Sequence, residues 1–150
     1  MFQHILLATD GSESAHKAED YALYLGGACG AALTVLHVQE DRLCHYGHVD
    51  QLVPGETKEG FVNYVMAEQQ ETGDRILREF SRKAARRGVP YTFKMKQGVP
   101  ADEIVATAMQ EQVDLLIIGG GHAGWLKGFR CRGVADKVTA MVPCTVMTLS

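Results

Sequence analysis

"DLLIIGGGHAGWLKGFRCRGVADKV", residues 114–138, runs from an unbroken apolar stretch into three consecutive glycines and then into an amphipathic segment. An apolar run, a glycine cluster and a helical pattern in that order describe a strand opening through a tight loop onto a helix N-terminus. Such a loop can present backbone N–H groups to a phosphate, aided by the positive end of the helix. Gly124, Gly128 and Gly133 extend the glycine character. His122, Trp125, Arg130 and Arg132 lie in the same span, and a phosphate loop does not require them. One strand–loop–helix unit buries little by itself, so its counterparts should lie elsewhere in the chain.

Four further apolar runs supply them: HILLAT (4–9), ALTVLHV (32–38), YTFKMKQ (91–97) and CTVMTL (144–149). Between the runs the period becomes helical. Ala18, Ala22, Leu25 and Cys29 share one face, as do Ile76, Phe80 and Ala84, and again Ile104, Ala108 and Met109. Strands alternating with helices indicate βαβ units and a parallel sheet. ILLA and LLII are apolar at successive positions, as central strands covered on both faces must be. YTFKMK instead alternates Tyr91, Phe93 and Met95 with Thr92, Lys94 and Lys96, which suits an edge strand whose lysines discourage stray pairing. CTVMTL is short and mixed, fitting the other edge or a seam between two copies. Right-handed crossovers then give the order 3-2-1-4-5 with helices on both faces, an α/β fold in one domain over 1–150. In that order the first and fourth strands lie side by side while their chains leave to opposite faces. Ligands bind beyond the carboxyl ends of the strands at such a point.

Composition bounds the function. The 150 residues are 46% hydrophobic and 22% charged, ordinary for a globular domain. A net charge of -3 offers no electrostatic footprint for nucleic acid. The basic cluster RKAARRG at 82–88 reads as the solvated end of a helix, where positive charge suits the dipole. No apolar stretch is long enough to cross a membrane, and MFQHILLATDG lacks the basic start of a signal peptide. Cys29, Cys44, Cys131 and Cys144 are dispersed without a CxxC pair, so reduced thiols and a cytoplasmic location are expected.

Punctuation sharpens the boundaries. DGSES (10–14) offers several N-caps for the first helix, and GVPADE (98–103) places a proline and two acids at the start of another. Roughly 39–60 lacks clear periodicity and is expected to be a long excursion between the second strand and the second helix.

Two features converge at the expected crevice. Asp10, directly after the first strand, can accept hydrogen bonds from a ribose or an adenine amine. Equally, it can close an Asx-turn that opens the first helix. The glycine loop can cradle phosphates, or simply permit tight turns. Together with their surroundings they resemble a known family. ILLATDGSESA, LTVLHV, GVPADEIVATA and DLLIIGGGHAG…GVADKV…VPCTVMTL are similar, in the same order along the whole chain, to the universal stress protein family.

The resemblance implies the five-stranded sheet, frequent homodimers (here through 144–149), and two classes of member. One class binds ATP through G-x-x-G, nine residues, then G-S/T; the other lacks that loop. Three registers can be tried. From Gly119, the second glycine position falls on His122 and the closing pair on Arg132 and Gly133. From Gly120 it falls on Ala123, with Val134 after Gly133 where a hydroxyl is expected. From Gly121 both early glycines survive, Gly124 being the second, but Gly133 comes one residue early and no hydroxyl follows. The loop is degenerate. Arg130 and Arg132 push the other way, since guanidinium can grip phosphate in place of the lost donors. Trp125 can stack on a base or pack against protein.

The resemblance further implies that Ala8, Thr9 and Asp10 form the adenosine-side turn and that the backbone of Val38 reads the adenine edge. With these positions intact and the triphosphate side altered, ATP with Mg²⁺ or AMP is the expected ligand, and a smaller nucleotide such as AMP, or one with different phosphate geometry, fits that asymmetry. An empty site is also consistent, in which case 119–133 would be a docking surface of an interaction protein. Cys44, His45 and His48 are residue types zinc favours, but their spacing matches no standard site and a mobile polar loop explains them as well. No G-x-S-x-G, HExxH or Walker A pattern occurs, and Ser12, Ser14 and His16 read as a helix cap. The expectation is a regulatory protein, at most a weak ATPase.

Overall fold

The computed structural model describes residues 1–40, 55–119 and 134–149, with side chains described from residue 67 onward in the second helix. Among the described residues nine elements alternate: β1 (His4–Ala8), α1 (Glu13–Cys29), β2 (Ala32–Glu40), α2 (Gly55–Arg87), β3 (Thr92–Gly98), α3 (Pro100–Gln110), β4 (Leu115–Gly119), α4 (Val134–Met141) and β5 (Thr145–Leu149). The strands form one parallel sheet in the order β3-β2-β1-β4-β5, the order expected from the alternation.

Register explains the apolar runs. Leu7 of β1 lies between Val35 of β2 and Ile117 of β4, while Leu6 lies between Thr34 and Leu116. Odd positions face α1 and α2, where Ile5, Leu7, Val35, Ile117, Ala18, Ala22 and Phe80 form one core. Even positions face α3 and α4, where Leu6, Leu36, Leu116, Ile104 and Val138 form the other. The central strands are therefore apolar at successive positions because each face has its own core.

Helix ends follow local chemistry. Ser12 caps α1, its side chain accepting from Ala15 N at 3.3 Å, and Gly30 ends it in the left-handed region at φ 64°. Pro100 opens α3, with Asp102 and Glu103 in the first turn against the dipole.

Two expectations need correction. The excursion beyond the second strand is shorter than 39–60, because β2 continues to Glu40 and α2 already begins at Gly55. Met109 is 57% exposed, so the buried stripe of α3 runs through Ala101, Ile104, Val105 and Ala108. On α1 the buried positions are Ala15, Ala18, Glu19, Ala22, Leu23 and Gly26, and Leu25 and Cys29, partly buried, pack against the same core as Ala18 and Ala22. The lysines of β3 are tied down rather than free: Lys94 pairs with Glu111, and Lys96 donates to Thr107 Oγ1 at 2.8 Å.

Candidate functional site

The first and fourth strands end side by side, Ala8 opposite Ile118, and their chains leave to opposite faces, into α1 and α4. This is the crevice expected of the strand order. Gly119 ends β4 directly against the first turn of α1. A Cβ at Gly119 would stand 2.8 Å from both Ala15 N and Ser14 C, and 2.9 Å from Ser14 O. The chain needs glycine there because the backbone of another element occupies the space a side chain would take.

The turn between β1 and α1 is fixed from several sides. Thr9 is fully buried and every polar atom it carries is engaged. Its N–H donates to Leu36 O at 3.0 Å, and its carbonyl accepts from His37 Nδ1 at 2.9 Å. A carbonyl can only accept, so His37 carries its proton on Nδ1. The Thr9 hydroxyl donates to Glu19 Oε1 at 2.8 Å and accepts from Gly11 N at 3.3 Å. Glu19 is 1% exposed. Its second oxygen accepts from Lys83 Nζ at 3.0 Å and lies 3.1 Å from His16 Nδ1. A buried carboxylate needs such compensation.

Asp10 Oδ1 accepts from Ser12 N at 2.9 Å, which realises the Asx-turn, and Gly11 takes φ 77°. The turn reading of Asp10 is thus the one its geometry supports directly, and a role towards a ligand would be additional. Burial and charge act on the surrounding titratable groups. Burial lowers the pKa of His37, only partly offset by its bond to Thr9 and the nearby Asp10 charge. Burial also disfavours the Lys83 ammonium, but bonds to Glu19 and then Asp20 outweigh it, and the pKa rises.

The expected site residues fall into three groups. Ala8, Thr9 and Val38 are buried, as is Val134 at the start of α4. Their side chains belong to the interior, so only their backbone can meet a ligand. Asp10 and Gly119 flank the crevice, half-buried. Gly120, Gly121, His122, Gly124, Trp125, Arg130, Arg132 and Gly133 lie outside the described residues, as do Cys44, His45 and His48. Among the described residues no group of three or more His, Cys, Asp or Glu could hold a metal, and no helix is long and apolar enough to cross a membrane. A surface cavity of about 560 Å³, bordered by Met109, Asp114, Pro143 and Cys144, lies at the opposite, amino ends of β4 and β5. None of the described site residues borders it.

Sequence reasoning missed Glu19, His37 and Lys83. Signals existed for the first two. Glu19 falls on the Ala15–Ala18–Ala22 face, and His37 continues the inward parity of Leu33 and Val35. Nothing local marks Lys83, whose partner is 64 residues away.

Comparisons with known proteins place this architecture. The universal stress protein family model matches residues 1–150. The chain is 31% identical over 147 residues to universal stress protein YxiE of Bacillus subtilis, covering 98% of both chains. It is also 31% identical over 148 residues, covering 98% of each, to a universal stress protein of Thermus aquaticus. Among solved structures, universal stress protein UspA of Lactobacillus plantarum superposes with a TM-score of 0.77 at 20% identity, covering 99% of this chain and 97% of that one. A universal stress protein in complex with cAMP gives 0.70 at 21% identity, covering 99% and 96%. The AMP-bound family protein of Arabidopsis thaliana gives 0.63 at 19%, covering 98% and 90%. The chain belongs to the universal stress protein family.

Proposed function

We propose that this protein is a cytoplasmic stress-response regulator, one domain over 1–150, that binds an adenine nucleotide in the crevice beyond the carboxyl ends of β1 and β4. The observation that carries the reading is the turn at Thr9–Ser12. Its backbone is fixed by buried partners on β2 and α1 before any ligand arrives, and it opens onto the crevice beside Gly119. A preorganised turn at this point costs a ligand little ordering. Two solved structures with the same fold carry cAMP and AMP, which supports the ligand class. AMP suits the chain better than ATP with Mg²⁺, because the base and ribose positions Ala8–Asp10 and Val38 are intact while Gly119–Val134 departs from the triphosphate pattern. In this reading Arg130 and Arg132 supply phosphate contacts that the lost glycines and hydroxyl do not. The protein acts by binding, with at most a weak ATPase.

β5 forms one edge of the sheet and pairs, among the described residues, only with β4. Its free side is the surface we assign to a homodimer. Sedimentation at micromolar concentration should give twice the monomer mass, and a monomer would remove this part of the reading.

The test of the ligand is mass spectrometry of small molecules released from protein purified without added nucleotide, followed by thermal shift with AMP, ADP and ATP, each with and without Mg²⁺. Near-stoichiometric adenine nucleotide, or a raised midpoint, is expected. No release and no shift would refute nucleotide binding and turn the 119–133 segment into a docking surface for a protein partner.

A further inference from the structure

Resting on that reading, we infer that Glu19, bridged to Lys83, is a positioning residue that holds the β1–α1 turn in its binding shape from behind, without touching the ligand, and so ties α2 into the site. The route is short. Lys83 Nζ donates to Glu19 Oε2 at 3.0 Å, Glu19 Oε1 accepts the Thr9 hydroxyl at 2.8 Å, and that hydroxyl accepts the N–H of Gly11 at 3.3 Å. Each link orients the next. Because the Thr9 O–H donates to Glu19, the hydroxyl must turn a lone pair towards Gly11, which stands at φ 77° next to Asp10. Asp10 then closes on Ser12 N.

The cation matters because Glu19 is 1% exposed. Its carboxylate stays inside only while charge compensates it. His16 lies against the same oxygen, but its side chain is 40% exposed, and it belongs to α1, as Glu19 does. Among the described residues, Lys83 alone brings Glu19 a cation from a different element. It also bridges Asp20 on α1 at 3.2 Å, so two carboxylates fasten α2 to the helix that begins at the site. Without the ammonium, the Glu19 carboxylate is drawn towards solvent and loosens its hold on Thr9. The turn then spends part of its time in other shapes, and apparent affinity falls by that fraction.

The experiment measures AMP affinity by calorimetry, well below the melting temperature, together with amide exchange at Gly11 and Ser12, in Lys83→Met, Thr9→Val and Lys83→Arg. Lys83 is only 29% exposed, and methionine keeps most of its unbranched stem, so the packing beneath it is largely retained; Lys83→Gln substitutes should Lys83→Met fold poorly. AMP should bind about tenfold more weakly or worse in Lys83→Met and Thr9→Val. Both amides should exchange faster, and Lys83→Arg should restore both properties. Folded variants with affinity within about twofold of the parent and unchanged exchange would overturn it, since a merely structural role lowers the melting point alone. Should the parent bind no adenine nucleotide, the proposed function fails, and exchange at Gly11 and Ser12 decides this inference by itself. Faster exchange in Lys83→Met supports it; parental exchange ends it.

Discussion

Replacing Gly119 by alanine adds one methyl group where no atom can stand. The new Cβ would lie 2.8 Å from Ala15 N and Ser14 C and 2.9 Å from Ser14 O. Ordinary contact begins near 3.4 Å, so β4 and the first turn of α1 must part by about 0.6 Å. These atoms are backbone, and no rotamer change relieves them. Ser14 and Ala15 are also held by the Ser12 cap, while Gly119 is held in the sheet opposite Leu149. The cost therefore falls at the upper end of the range for overpacking, about 3 kcal/mol. For a chain of this size that corresponds to a melting midpoint lower by roughly 6–12 °C. Gly27→Ala is the matched control. Gly27 is an exposed helical residue of α1 whose Cβ would meet only Val89 Cγ2 at 3.6 Å, and alanine there should stabilise by about 0.5–1 kcal/mol. Calorimetric unfolding of both variants is the assay. A midpoint for Gly119→Ala within about 2 °C of the parent would refute the claim that this close approach fixes the residue.

The buried His37 makes stability depend on pH. Its folded pKa lies below 6.5, so the unfolded chain binds the proton more readily, and this contribution is present above 6.5 and lost as pH falls through the folded value. His37→Asn keeps a donor for the Thr9 carbonyl but cannot titrate. Between pH 7 and 5 its stability should fall less steeply than the parent's, by up to about 1.4 kcal/mol per pH unit, in urea melts at each pH. Phe80 is fully buried and meets Tyr91 edge to face at 5.0 Å, so Phe80→Ala should cost about 3–5 kcal/mol in the same melts. Met109→Ser, on the exposed side of α3, should change stability by no more than about 0.5 kcal/mol.

What was legible in the sequence was what a single face of a single element records. Successive apolar residues in ILLA and LLII announce two cores, and the alternation of YTFKMK announces an edge. From these the strand order follows by handedness. The start of α2 at Gly55 was not legible, because GETKEG carries no apolar period and two glycines. Spacing alone groups Met109 with Ile104 and Ala108, but the packed stripe passes through Val105 on the other side. At the site, Asp10 and Gly119 could be picked out by position after their strands. The group behind them could not, because Thr9 comes from the β1–α1 turn and Glu19, His37 and Lys83 from three different elements, and they meet only once the sheet is assembled. Burial of a charged residue is a property of its partners, and those partners lie far along the chain.

The central strand has a consequence for how the molecule is made. β1 pairs on one side with β2, which follows closely, and on the other with β4, about 110 residues later, where the Asp114 carboxylate takes the amides of Gln3 and His4. At a synthesis rate of about 5–20 residues per second, the second flank of β1 leaves the ribosome some 6–20 s after the first residues do. During that interval Ile5, Leu6 and Leu7, which end fully buried, have one edge without its native neighbour. The nascent chain is thus open to mispairing for seconds, and the time to completion is governed by translation of the C-terminal third as well as by the intrinsic speed of folding.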